Sequence, residues 1–147
     1  MSATRILVVD DNEVVRRAIC SLLSSDPGMD VICQTADGEQ AVLKAEELEP
    51  DLVLLDISLP GISGIEAARR ISVVCPDSYI IFLSQHESLQ MAEDALRVGG
   101  HGYVAKMDAG SELLKAIRAV SEGKRFVSQR IVSQGWRAEQ HGGAGRE

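Results

Sequence analysis

At 147 residues the chain has room for one domain and a short extension. Its 45% hydrophobic and 25% charged residues are ordinary globular values, which excludes a disordered chain, and no apolar run approaches membrane-spanning length. The net charge of −7 is split, with −10 on residues 1–123 and +3 on residues 124–147, so the body repels nucleic acid and the tail is too weakly basic to hold it.

The first apolar run is Ile6-Leu7-Val8-Val9. It is four residues long and ends in Asp10-Asp11, unlike a signal peptide or a membrane anchor. A cytoplasmic protein with no membrane partner is expected. Cys20, Cys33 and Cys75 are odd in number and widely spaced, so they read as small apolar residues, and His86, His101 and His141 are too scattered for a metal site.

That first run is a strand with no polar alternation, as expected where both faces are covered. After Asn12, a good N-cap residue, Val15, Ala18, Ile19, Leu22 and Leu23 mark one face of a helix, with Arg16 and Arg17 on its wet side. Asp26-Pro27-Gly28 ends it. A second strand runs from Val31 to about Ala36, and a second helix places Ala41, Ala45 and Leu48 inward before Pro50. The third strand is Leu52-Val53-Leu54-Leu55. It stops at Asp56, and Pro60-Gly61 turns the chain away. Ser63-Gly64-Ile65-Glu66 matches a capping box, in which both side chains satisfy free backbone N–H groups at a helix start, and the helix runs to about Cys75.

Tyr79 to Leu83 is a fourth apolar strand reaching Ser84, followed by a helix from Ser88 to Val98. A glycine-dense turn, Gly99-Gly100-His101-Gly102, leads to a short fifth strand, Tyr103-Val104-Ala105, ending at Lys106. A last helix spans Ser111 to Glu122, with Gly123 as its cap. Five strands alternating with five helices imply an α/β, doubly wound, five-stranded parallel sheet with helices on both faces. Strand order is not readable from sequence; the flavodoxin-like 2-1-3-4-5 order is the default for five such units.

In such sheets ligands sit beyond the carboxyl ends of the strands. Those ends carry Asp10 and Asp11, Asp56, Ser84 and Lys106. Three carboxylates at ~4 Å repel by about 4 kcal/mol per pair at an effective dielectric near 20, more than one lysine offsets. A hard divalent cation, Mg²⁺, answers that charge. A carboxylate–Mg²⁺ centre flanked by a lysine and a hydroxyl suits phosphoryl transfer to a carboxylate oxygen.

The segments Arg-Ile-Leu-Val-Val-Asp10-Asp11-Asn12, Leu-Leu-Asp56-Ile-Ser-Leu-Pro60-Gly-Ile-Ser-Gly64, Phe-Leu-Ser84 and Gly102-Tyr103-Val-Ala-Lys106 resemble bacterial response-regulator receiver domains, in order and over residues 5 to about 123. The resemblance implies that Asp56 accepts a phosphoryl group from a histidine kinase. It implies that Asp11, Asp56 and the Ser58 backbone carbonyl bind Mg²⁺, with Asp10 supporting the ion indirectly. Lys106 would contact the phosphoryl oxygens, Ser84 would swing to hydrogen-bond them, and Tyr103 would move inward, changing the surface formed by the fourth helix, fifth strand and fifth helix. Ser58 and His86 stand where such domains tune phosphoryl lifetime. The chain would thus be no conventional enzyme, but a phosphoacceptor that assists its own phosphorylation and dephosphorylation.

The run from Gly99 to Tyr103 and the ending Ile117-Arg-Ala-Val-Ser-Glu-Gly-Lys-Arg-Phe-Val-Ser128 resemble most the subgroup followed by a helix-turn-helix DNA-binding domain, which implies control of transcription. Three features depart from the family pattern. Met107 follows Lys106 where many receivers have proline, and His101 stands at a commonly small position. Only 24 residues follow Gly123, too few for a DNA-binding domain. Residues 1–123 are therefore expected to form the receiver, and residues 124–147 a linker helix at about 125–136 and a flexible tail from Gln140. DNA would be contacted only through an output domain beyond this chain, and a homodimer formed on phosphorylation is a further partner the resemblance allows. The alternative output is a stand-alone receiver acting through protein contacts or as a phosphorelay carrier. An aspartate-nucleophile phosphatase is disfavoured by Ser58, where a second Asp is usual. A flavin protein is disfavoured by the acidic Asp10-Asp11-Asn12-Glu13. A degenerate receiver would have lost one of Asp11, Asp56 or Lys106, and all three are present.

Overall fold

The computed structural model describes residues 3–137. Strands β1 (Thr4–Val9), β2 (Met29–Thr35), β3 (Leu52–Leu55), β4 (Tyr79–Ser84), β5 (Gly102–Ala105) and β6 (Phe126–Val127) form one parallel sheet in the order β2-β1-β3-β4-β5-β6. The doubly wound α/β architecture and the 2-1-3-4-5 order expected from the sequence are present, with a sixth strand added beside β5. Helices α1 (Glu13–Ser24), α2 (Gly38–Leu48), α3 (Gly64–Val74), α4 (Leu89–Arg97) and α5 (Ala109–Ser121) connect the strands. A short α6 (Gln129–Val132) follows β6. None of the described helices is long and apolar enough to cross a membrane.

The unbroken apolar strand runs have a simple cause. Successive side chains point to opposite faces, and both faces are covered. Leu7, Val9, Val53, Leu55, Ile80 and Phe82 pack against small residues of α2, α3 and α4, namely Ala41, Ala45, Ala67, Ala68, Ala92 and Ala95. Ile6, Val8, Leu52, Leu54, Ile81 and Leu83 pack against Ile19 and Leu23 of α1 and Leu113, Ile117 and Val120 of α5. Alanine on three helices lets their backbones approach the sheet closely. Truncating a fully buried leucine such as Leu54 would cost about 2–5 kcal/mol.

Helix starts follow the expected side chains. Asn12, Asp37, Ser63 and Ser88 accept hydrogen bonds from the N–H groups of Val15, Gln40, Glu66 and Met91 at 2.8–3.1 Å, each contributing about 1 kcal/mol. The capping box at Ser63 is only half formed, because the Glu66 carboxylate turns to Arg69 and Arg70 instead of its helix start. Two arginines within one turn outcompete one backbone N–H. Helix α5 begins at Ala109, two residues before the expected Ser111, and a 3₁₀ turn at Lys106–Asp108 leads into it. On α1, Ala18 is exposed and Val15 half-buried despite their place on the apolar stripe.

The chain after Gly123 differs most from expectation. Instead of a linker helix at 125–136, β6 pairs with β5 and the four-residue α6 follows. A two-residue strand carries no periodicity; what fixes it is the β5 edge, whose unpaired backbone groups it covers. Phe126 N donates to His101 O and Ser128 N to Tyr103 O. Residues 138–147, including the glycine-rich stretch expected to be flexible, lie outside the described residues.

His101, unusual by the family pattern, has a structural place. Its Nδ1 accepts a hydrogen bond from Ile80 N at 3.1 Å, and its ring meets Tyr79 edge-on at 5.0 Å. Burial, then the nearby Arg125 charge, lowers its pKa. A folded pKa below the unfolded value of about 6.5 means the proton prefers the unfolded chain. His101 thus supports the fold fully above pH ~6.5, and that support is lost as pH falls through its folded pKa. His101→Asn, which keeps an acceptor but does not titrate, should remove up to one proton's worth of slope from stability measured by urea unfolding between pH 7 and 5. An unchanged slope would assign the acid sensitivity elsewhere.

Candidate functional site

The carboxyl ends of β1, β3, β4 and β5 meet on one edge of the sheet. Asp10 and Asp56 are 1% and 4% exposed, whereas Asp11 is exposed. One carboxylate oxygen from each of Asp10, Asp11 and Asp56 lies within 4.8 Å of the others. Lys106 Nζ, arriving from the end of β5, stands 2.8 Å from Asp10 Oδ2 and 3.0 Å from Asp56 Oδ2. Of the five strand-end residues singled out in the sequence, Asp10, Asp11, Asp56 and Lys106 come together, and Ser84 ends β4 on the same edge.

Backbone groups hold the acids. Asn12 N donates to Asp10 Oδ1 at 2.9 Å and Ser58 N to Asp56 Oδ1 at 3.1 Å, each acid bonding two residues ahead. Asp56 N donates to Val9 O, continuing the β1–β3 ladder to the edge of the site. Arg16, placed on the wet side of α1 by its periodicity, instead reaches over the edge: Nη1 donates to Asp10 O at 2.6 Å and Nε to Gln34 Oε1 at 3.2 Å. A flexible side chain is not confined to the helix face its Cα occupies, so helical spacing gave no signal for this brace.

Burial raises the Asp56 pKa, and the Asp10 charge adds to it, against the hydrogen bond and charge of Lys106 and the Ser58 N–H. Burial pulls the Lys106 pKa down, but its contacts with Asp10 and Asp56 outweigh that and raise it, so the ammonium stays charged. The cluster therefore has one cation against three acids. Asp10 Oδ2 is buried with no hydrogen-bond donor aligned on it, only the Lys106 ammonium beside it. An all-oxygen donor set with a surplus of negative charge fits a hard divalent ion such as Mg²⁺ and no soft metal.

The hydroxyl side of the site is a connected network centred on His86. Its N–H donates to the buried Ser84 Oγ at 2.9 Å, and its carbonyl accepts from Tyr103 Oη at 2.8 Å. Its Nε2 shares a 3.0 Å hydrogen bond with Ser58 Oγ. Tyr103 is already fully buried, with its ring 6.5 Å from that of Phe82. The aromatic expected to move inward thus stands inward here, where the His86 carbonyl gives its hydroxyl a partner. Burial raises its pKa, the Ser84 hydroxyl opposes this, and the Asp56 charge adds to it.

The family model for the response regulator receiver domain matches residues 6–118. The chain belongs to that family. Among curated relatives, the response regulator GacA of Pseudomonas viridiflava is 38% identical over 130 residues, covering 88% of this chain and 61% of that protein. The response regulator UvrY of Escherichia coli K12 is 36% identical over 129 residues, covering 88% of this chain and 59% of that protein. The receiver described here thus spans about three-fifths of the length of the curated relatives it matches. Among solved structures, a two-component response regulator of the LuxR family from Aurantimonas sp. SI85-9A1 superposes with a TM-score of 0.86 at 36% identity, over 90% of this chain and 94% of that one. As a receiver, the chain is a two-component signalling domain; receivers generally bind Mg²⁺ at an acidic pocket, and this chain has a cluster of three aspartates.

Proposed function

We propose that this receiver is a switch thrown by phosphorylation of Asp56. The observation that carries the reading is Lys106 bridging Asp10 and Asp56, next to Asp11 and one strand from Ser84. An Asp56 oxygen attacks the phosphorus of a histidine kinase's phosphohistidine; the P–O bond forms as the P–N bond breaks, and the imidazole leaves. Asp11, Asp56 and the Ser58 carbonyl would hold Mg²⁺, with Asp10 supporting it indirectly, and the ion when bound would supply positive charge against the transferring oxygens. Lys106 moves from its two carboxylates to a phosphoryl oxygen, a step favoured by its retained positive charge. Ser84 Oγ leaves the His86 N–H for the phosphoryl group, and Tyr103, already inward and bonded to His86 O, shifts further into the space Ser84 vacates. The surface of α4, β5 and α5 changes with them. The same centre lets the domain assist its own phosphorylation and dephosphorylation.

Beside the site lies an apolar cleft of about 410 Å³ lined by Val14, Val15, Ile19 and Leu22 of α1 with Leu83, Lys106 and Ala109. The output is control of transcription, through a DNA-binding domain like those of regulators with this receiver pattern, in the cytoplasm, with phosphorylation favouring a homodimer. Incubation with acetyl phosphate and Mg²⁺ should add one phosphoryl group by intact mass. EDTA should prevent the gain and hydroxylamine should remove it, as for an acyl phosphate. No gain, or a hydroxylamine-stable adduct, would overturn the reading.

A further inference from the structure

Both loops that bear the switch residues are tied to the chain's C-terminal segment. On the β4–α4 loop, one residue beyond His86, the Glu87 carbonyl accepts from Gln134 Nε2 at 2.6 Å. Leu89 N, two residues further, donates to Gln134 Oε1 at 3.0 Å. A single amide side chain thus bonds the loop backbone on both sides, as a neighbouring strand would. Arg130 joins this loop to the other one: its guanidinium donates to both Asp108 oxygens at 2.7 and 3.1 Å and stands 3.6 Å from Glu87 Oε1. Asp108 closes the 3₁₀ turn that begins at Lys106.

The segment also grips β5 itself. The fully buried Ser128 Oγ accepts from Ala105 N, the residue before Lys106, at 2.8 Å and donates to Glu112 Oε1 at 2.6 Å. Beyond these polar contacts, Val127, Ile131 and Trp136 join the same core cluster as Phe82 and Tyr103. Residues 126–136 are therefore part of the switch's packing and not a passive exit.

We propose that Gln134 and Arg130 are positioning residues through which the phosphorylation state of Asp56 sets the docking of the C-terminal segment. The proposal rests on Asp56 being the phosphoacceptor. When Ser84 Oγ leaves the His86 N–H and Lys106 turns to the phosphoryl group, the Glu87–Leu89 backbone and the Asp108 turn shift relative to each other. Hydrogen bonds weaken steeply with misalignment, so the amide clip and the guanidinium bridge fail together and residues 129–136 loosen. Whatever follows the receiver then leaves it at a changed attachment.

Trp136, the sole tryptophan, is 9% exposed and reports directly. On the full chain, acetyl phosphate with Mg²⁺ should shift Trp136 emission to the red and speed amide exchange in residues 129–136 by roughly tenfold, the effect of losing about one net hydrogen bond. Gln134→Ala and Arg130→Ala should show that loosened state without phosphodonor, while still gaining one phosphoryl group. Phosphoryl gain with unchanged Trp136 emission and exchange would overturn the coupling and leave the Asp56 reading intact. Absence of phosphoryl gain would overturn both. Variants that match the parent before phosphorylation would remove Gln134 and Arg130 from the mechanism.

Discussion

Asp56→Ala should take up no phosphoryl group from acetyl phosphate and Mg²⁺, and in metal-free buffer it should melt above the parent. The loss of uptake follows from position. Asp10 and Asp11 also lie in the cluster, but Asp10 is 1% exposed and bonded to Asn12 N and Lys106, while Asp11 is solvent-facing. Asp56 bonds both Lys106 and the β3–α3 loop, whose Ser58 side chain reaches His86 on the β4–α4 loop. The gain in stability follows from burial. A carboxyl whose folded pKa is raised supports the fold below its unfolded pKa, and that support is lost as pH rises through the folded value. The raised folded pKa means that ionising Asp56 works against the fold, a cost consistent with a residue kept for the proposed acceptor role.

Mg²⁺ should reverse the order of stabilities. A ligand present at 100 times its Kd stabilises the folded state by about 2.7 kcal/mol. The parent receives that contribution, and the variant, lacking one ligand, receives much less. Thermal melts of both chains across a Mg²⁺ titration test this, with intact mass as the companion measurement. A phosphoryl group that persists in Asp56→Ala would move the acceptor to another residue. Equal Mg²⁺ stabilisation of both chains would remove Asp56 from the proposed ligand set.

How much of this was readable beforehand differs by element. The apolar runs at β1, β3 and β4 announce strands covered on both faces, and the helices between them leave few topologies. Strand ends then name Asp10, Asp11, Asp56, Ser84 and Lys106, which the fold brings to one edge. What the sequence concealed depends on contacts distant along the chain. The Arg16 brace on the Asp10 carbonyl and the Ser128 bond beneath Lys106 join residues that no periodicity links. Strand β6 is too short to carry a pattern and exists because β5 offers an edge. The Tyr103 hydroxyl has its partner in the carbonyl of His86, a group every residue has. Tertiary partners decided these, and local propensity did not.

Gly64 is the sharpest such case, and its substitution should have the largest effect on stability of any exposed-loop or helix-start change near the site. Its sequence context reads only as the first helical residue after the Ser63 cap. In the fold, a Cβ at Gly64 would stand 2.0 Å from the Asp56 carbonyl oxygen and 2.7 Å from Ile57 Cα. Both are backbone atoms, so no rotamer change relieves the clash. Gly64 N also donates to Ile57 O at 2.7 Å, which locks the approach. Gly64→Ala must push α3 away from the end of β3 or move Asp56 itself. Overpacking of this kind costs about 3 kcal/mol, at the upper end of its usual range, which lowers the melting temperature by roughly 10 °C. Phosphoryl uptake should fall with it, because the displaced atoms carry the proposed acceptor. Gly61→Ala supplies the contrast. Gly61 has φ +76° but nothing within 4 Å of an added Cβ, so its cost is the left-handed backbone alone, about 1 kcal/mol. Its phosphoryl uptake should match the parent. Urea unfolding and intact-mass uptake on the two variants separate the effects. If Gly64→Ala proved no costlier than Gly61→Ala, then α3 yields freely at its start, and the β3–α3 contact does not fix the acceptor.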